Sequence, residues 1–128
     1  LVFVGWLRET VDKLARAPED IRAENLRAWV ASVNGATPIR DLVPRKRAKV
    51  AGVVQNVRVD PREGHGSIEA TIIDGTGELV VKWLGRPSKS GIRLGMGLIV
   101  EGTVGNGAGG ELLVLNPEYQ LVVGPEHG

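Results

Sequence analysis

The sequence predicts an all-β domain, a five-stranded Greek-key barrel preceded by a helical segment. Three observations carry that prediction. Residues 1–34 contain one glycine and one proline, whereas the remaining 94 residues contain seventeen glycines and six prolines. Apolar residues recur with helical spacing before this boundary and alternate with period two after it. The alternating segments are short and separated by glycine turns, apart from one longer link between the third and fourth. The chain of 128 residues suits one domain with a real core, and 42% hydrophobic with 24% charged residues is ordinary for a globular chain.

The elements follow in order. Leu7, Val11 and Leu14 fall on one helical face, which suggests a short helix before Pro18. Pro18 followed by Glu19 and Asp20 is a good helix start, because proline suits the first turn and acids suit the positive end of the dipole. Leu26, Trp29, Val30 and Val33 form an apolar stripe and Gly35 a stop, so a helix is expected over about 19–33. This helix is expected to cover an open end of the barrel, and Leu1–Leu7 with Phe3 and Trp6 to contact a partner or a second copy.

Alternation begins at Ala48-Lys49-Val50 and runs through Val59 as a long first strand, with Gly52 placed for the bend and bulge that let it serve two sheets. Ile68, Ala70 and Ile72 mark the inward face of the second strand, and Leu79, Val81 and Trp83 that of the third. Asp74-Gly75-Thr76-Gly77 joins these two as a tight hairpin in which glycine supplies a positive φ. Leu98, Val100, Gly102 and Val104 mark the fourth strand, and Leu112–Val123 reads as one long fifth strand. A bent first strand and an insertion between the third and fourth describe an OB-fold barrel, and an SH3-like barrel lacks that insertion. The chain therefore divides into a helical extension over 1–35, the barrel over 36–123 and a tail over 124–128.

Composition narrows the function. No cysteine is present, which excludes a disulfide scaffold, a thiolate nucleophile and Cys-ligated metal sites, and fits a cytoplasmic protein. The opening apolar run is about a third of a membrane span and lacks the features of a secretory signal. The net charge of +1 conceals an asymmetry. Residues 40–62 hold seven Lys/Arg against two acids, and residues 63–128 hold four against eight. A short basic segment in an otherwise acidic chain points to a polyanionic partner.

His65 and His127 have no second ligand at metal spacing, and serines 32, 67, 88 and 90 have no positioned His–acid partners. Gly105, Gly107 and Gly110 match G-x-G-x-x-G, but a strand pattern follows where a dinucleotide site needs a helix, so this is a hairpin. Asp74 and Glu78 read as turn chemistry. The expectation is a protein with no catalytic residues, no metal and no cofactor.

An ordered set of segments carries a family resemblance. Ala36 to Arg45 leads into Val50-Ala51-Gly52-Val53-Val54, followed by Asp74-Gly75-Thr76-Gly77, Trp83-Leu84-Gly85-Arg86, Gly91-Ile92, Val100-Glu101-Gly102 and Asn116-Pro117-Glu118-Tyr119. Together they resemble the small actinobacterial OB-fold nucleic-acid-binding proteins of the tRNA anticodon-binding type. More distantly they are similar to the wedge domain of RecG-type helicases. The resemblance implies binding to single-stranded or branched DNA, or to RNA, without catalysis.

The residues expected to bind are cations and one ring. Arg45, Arg47 and Lys49 would share one face of the first strand at about 7 Å spacing, near that of phosphates along a strand. Lys82, Arg86, Lys89 and Arg93 lie on the third strand and the link after it, and Arg58, Arg62 and His65 are expected in the loop between the first and second strands, where they could close over a bound strand. Glu69 would project among them and oppose phosphate, which favours a weak or loop-dominated site. Trp83 is the candidate stacking residue, although alternation turns it inward; Tyr119 is a candidate at the rim. Only five aromatics occur in the chain, and that scarcity supports the rival expectation of a protein-interaction module that docks or self-associates through the apolar N-terminus.

Overall fold

A computed structural model describes residues 18–60, 66–85 and 91–125. The expected helix before Pro18, the Leu1–Leu7 segment, Arg62, His65, Arg86, Lys89 and His127 lie outside the described residues. Helix α1 spans Pro18–Ser32, and the chain turns out of it through Gly35 at φ 80°, the left-handed stop the sequence signals. A single 3-10 turn, Ile39–Asp41, precedes the sheet. The strands are β1 (Arg47–Asp60), β2 (Ser67–Ile73), β3 (Glu78–Leu84), β4 (Gly97–Asn106), β5 (Leu112–Leu115) and β6 (Glu118–Val122).

Five of these strands close a ring, β1-β2-β3-β5-β4 and back to β1, as an OB barrel does. The closure depends on β1. Its first half pairs antiparallel with β4, from Arg47 opposite Thr103 to Val53 opposite Gly97. Its second half pairs with β2, from Val53 opposite Ile73 to Asp60 opposite Ser67. The strand changes partner at Val53, and the register slips between Val54 and Asn56, leaving Gln55 as the extra residue. The bulge is thus at Gln55 and not at Gly52. Gly52 meets a different need: a Cβ there would lie 2.9 Å from the Ile73 carbonyl oxygen, so the crossing strands require glycine to approach.

The inward alternation expected from sequence holds. Ile68, Ala70 and Ile72 of β2, Leu79, Val81 and Trp83 of β3, and Leu98, Val100 and Val104 of β4 are all buried in one contiguous core with Val50, Val54 and Val114. The expected single fifth strand is two. Asn116 adopts φ 48° and Pro117 follows, which breaks the ladder. Before the break β5 opposes β4 with Val114 at Val104; after it β6 opposes β4 with Glu118 at Glu101, one residue out of phase. The break lets β5 pair in parallel with β3, Val81 beside Val114, and so close the ring, while β6 continues along β4 outside it.

Leu26, Val30 and Ala51 are buried but stand outside the contiguous barrel core. Leu98 and Val100 point inward, so Gly97 presents its other side outward, and a Cβ there would lie 2.9 Å from the Trp29 ring. Arg27 Nη1 also donates to the Gly75 carbonyl at 3.0 Å. α1 therefore leans on the wall where β1 changes partner and on the tip of the β2–β3 hairpin. The side chain that enters the barrel beside that hairpin is Ile39, a member of the core that touches the Gly77 backbone position.

Candidate nucleic-acid interface

The bend in β1 decides where its cations stand. Arg45 is not on the strand. It sits at φ 73° in the preceding turn, with its N–H donating to the Val104 carbonyl at 2.7 Å. The expected row of Arg45, Arg47 and Lys49 is therefore not formed, because a left-handed residue breaks the two-residue alternation that a row requires.

Arg47 and Lys49 do share a face, but with two carboxylates. Lys49 is directly opposite Glu101 on β4, and Glu101 is opposite Glu118 on β6. Arg47 Nη2 lies 3.9 Å from Glu101 Oε2 and 3.8 Å from Glu118 Oε1. These exposed pairs contribute little to stability. They do balance the charge of this wall, two cations against two carboxylates. Replacing Arg47 and Lys49 together by alanine is expected to change affinity for a single strand by less than about twofold, measured by fluorescence anisotropy.

The second half of β1 carries a different group, and it holds Arg58, which is paired in the strand and not in the loop expected after it. Arg58, Glu69 and Lys82 stand in register across β1, β2 and β3. Arg58 Nη1 lies 3.7 Å from Glu69 Oε2, so the carboxylate expected to oppose phosphate is flanked by a cation on each side. A groove of about 250 Å³ runs here, lined by Arg58, Val59, Asp60, Ser67, Glu69 and Lys82. Asp60, Ser67 and Leu84 are aligned at this end of the sheet. From Asp60 the chain leads to the segment holding Arg62, and from Gly85 to the segment holding Arg86 and Lys89. Among the described residues this groove carries two cations, Arg58 and Lys82, and two carboxylates, Asp60 and Glu69. Arg93 belongs to neither group. It lies on the loop that bonds to Val54 at the bend in β1, where Gly95 N donates to the Val54 carbonyl at 2.9 Å.

Trp83 is not available for stacking. It is 2% exposed, and its Nε1–H donates to the Pro117 carbonyl at 3.1 Å. Tyr119 packs edge-on against it with ring centroids 5.1 Å apart. Tyr119 lies on β6 opposite Val100, anchored against the core tryptophan. An aliphatic residue faces outward at the end of each of β3 and β5. Leu84 and Leu115 are 47% and 50% exposed, and Leu115 stands beside Lys82 in the parallel β3–β5 pair. Alternation with Trp83 and Val114 turns both outward, but only the β3–β5 pairing shows that Leu115, like Leu84, stands next to Lys82. Among the described residues no group of three His, Asp or Glu is placed to hold a metal ion.

The comparisons with known proteins agree with this architecture. A family model described as OB-fold nucleic acid binding domain matches residues 48–124. The chain belongs to that family. Two solved structures share the fold at low identity. One is RecG bound to a three-way DNA junction, at TM-score 0.53 and 20% identity, covering 70% of this chain and 13% of RecG. The other is a domain of replication protein A from Methanococcus maripaludis, at TM-score 0.57 and 15% identity, covering 70% of this chain and 98% of that domain. The chain thus spans a small part of RecG's length. No curated protein matches it. Family membership makes it a nucleic-acid-binding domain of a class that is generally non-catalytic. None of the described helices is long and apolar enough to cross a membrane.

Proposed function

We propose that this OB-fold domain binds single-stranded or branched nucleic acid, DNA in preference to RNA, and performs no catalysis of its own. The single observation that carries the placement of the site is the Arg58–Glu69–Lys82 row at the end of the sheet from which the Arg62 and Arg86–Lys89 segments depart. OB folds bind oligonucleotides over strands two and three and the adjoining loops, which is this face. The preference for DNA rests on the RecG neighbour, whose structure holds a DNA junction. Arg45, Arg47 and Lys49 would then serve as outlying charge, and Arg93 as a second outlying contact.

The test is fluorescence anisotropy with labelled single-stranded DNA, a three-way junction, duplex DNA and single-stranded RNA, each at two salt concentrations. With two to five phosphates engaged, log K should fall with log salt at a slope of about −1.5 to −3.5 for single strands. Binding unmoved by salt, or none at low salt, would overturn the proposal. Binding of RNA as tight as DNA would remove its DNA preference.

A further inference from the structure

We infer that Leu84 and Leu115 form an aliphatic platform on which unstacked bases of the bound strand lie, doing in this chain what exposed aromatic rings do at other single-strand sites. The inference rests on the proposed function and adds to it the part of the site that touches bases. Phosphate contacts alone cannot distinguish a single strand from a duplex, since both present phosphates; base faces are open only when unstacked. A site selective for single strands therefore needs an apolar surface beside its cations. The described aromatics do not supply one, because Trp83 is buried, Tyr119 is packed against it, and Trp29 lies under α1 against Gly97.

Leu84 and Leu115 do supply one. Both project from the outer side of the sheet and flank Lys82, Leu84 two residues along the same strand and Leu115 directly across the β3–β5 pair. Val80 and Leu113, paired one step further along, extend the apolar surface as half-buried neighbours. The backbone under the platform is fixed. Asn116 N donates to the Lys82 carbonyl at 2.7 Å, and Leu84 N donates to Asn116 Oδ1 at 2.9 Å. The left-handed φ of 48° at Asn116 is one that asparagine tolerates. The residue that breaks the fifth strand thus ties the two leucine-bearing strands together, and a surface already rigid loses less entropy when a base settles on it.

Three features favour nucleic acid over a second copy of the chain as the occupant. Lys82 stands within the patch, so a twofold self-contact centred there would bring two lysines together. The same lysine continues the charged row of Glu69 and Arg58, which gives bases and phosphates adjacent places. Two exposed leucines with two half-buried neighbours also make a smaller apolar surface than a stable dimer buries.

The experiment uses labelled oligothymidylate with the wild-type chain, the Leu84→Ala/Leu115→Ala double variant and Leu115→Tyr, at two salt concentrations. The double alanine should weaken binding about five- to tenfold with an unchanged salt slope, because apolar area is lost and no charge. Leu115→Tyr should tighten binding severalfold, since a ring there can stack on any base. Both side chains are half-exposed, so truncation leaves the barrel core intact. Salt-dependent wild-type binding with affinities within twofold for both variants would overturn the platform while leaving the proposed function standing. Wild-type dimers by light scattering that the double alanine converts to monomers, with DNA affinity unchanged, would assign the patch to self-association and also overturn it. Failure of the wild-type chain to bind would remove the proposed function itself, and the platform with it.

Discussion

Replacing Asp74 by alanine is expected to lower the unfolding free energy by about 3–4 kcal/mol, the largest loss from any polar substitution in the domain. Its carboxylate is 1% exposed and accepts four hydrogen bonds. Oδ1 receives Thr76 N at 2.8 Å, Thr76 Oγ1 at 2.7 Å and Gly77 N at 3.1 Å. Oδ2 receives Ile39 N at 2.8 Å. The first three hold the β2–β3 hairpin, and the fourth fixes the turn that delivers Ile39 into the core. Hydrogen bonds to a charged acceptor contribute about 1.5–3 kcal/mol each, but bonds to one group are not additive, so the total stays well below their sum. The measurement is urea unfolding, with a melting temperature lower by about 15 °C as its companion. Asp74→Asn keeps one acceptor oxygen and turns an amide donor toward donors, so it should recover at most part of the loss. A cost below about 1 kcal/mol for the alanine variant would mean that Ile39 is held by packing alone.

The contrast between Asp74 and the binding face shows what the sequence could disclose. The Asp-Gly-Thr-Gly turn is written locally, and Gly75 has the expected positive φ of 86°. The inward faces of β2, β3 and β4 were equally legible, because one buried face imposes a period of two on adjacent residues. Trp83 shares the parity of Leu79 and Val81, yet parity alone left stacking open, and its burial with the Nε1–H bond to Pro117 places it in the core. What the sequence could not disclose depends on residues far apart in the chain. Lys49 and Glu101 are 52 positions apart, and only the β1–β4 register makes them neighbours. Ile39 lies outside any strand pattern, so its place in the core follows from the hydrogen bond to Asp74 and not from periodicity. The left-handed φ of Arg45 is invisible for a residue type that seldom adopts it. The outward leucines were visible as residues, but the place of Leu115 beside Lys82 required the parallel β3–β5 pair, which two strands separated by the whole of β4 form only when the ring closes.

Reversing charge at both Arg58 and Lys82 is expected to weaken single-strand binding by at least about twentyfold, whereas reversing Arg47 and Lys49 should weaken it by no more than about threefold. The two pairs carry the same formal charge, so general attraction of a polyanion would make the variants equal. Their surroundings differ. Arg47 and Lys49 face Glu101 and Glu118, and a strand approaching that wall meets both signs. Arg58 and Lys82 flank Glu69 and share their groove with Asp60, and the chain leaves this end of the sheet into the segments that hold Arg62 and Arg86 with Lys89. If phosphates pass over this row, each reversal turns a contact of roughly 1 kcal/mol into a repulsion of similar size, and two reversals exceed a factor of twenty. The salt slope should fall by about 1.4 for the two lost contacts. Glu69→Gln is the complementary gain: it removes the carboxylate between the cations and should tighten binding about threefold, most clearly at low salt, where surface charges are least screened. Equal losses from the two reversed pairs, or no gain from Glu69→Gln, would move the strand away from the Arg58–Lys82 row, since a carboxylate that phosphate passes directly must oppose it.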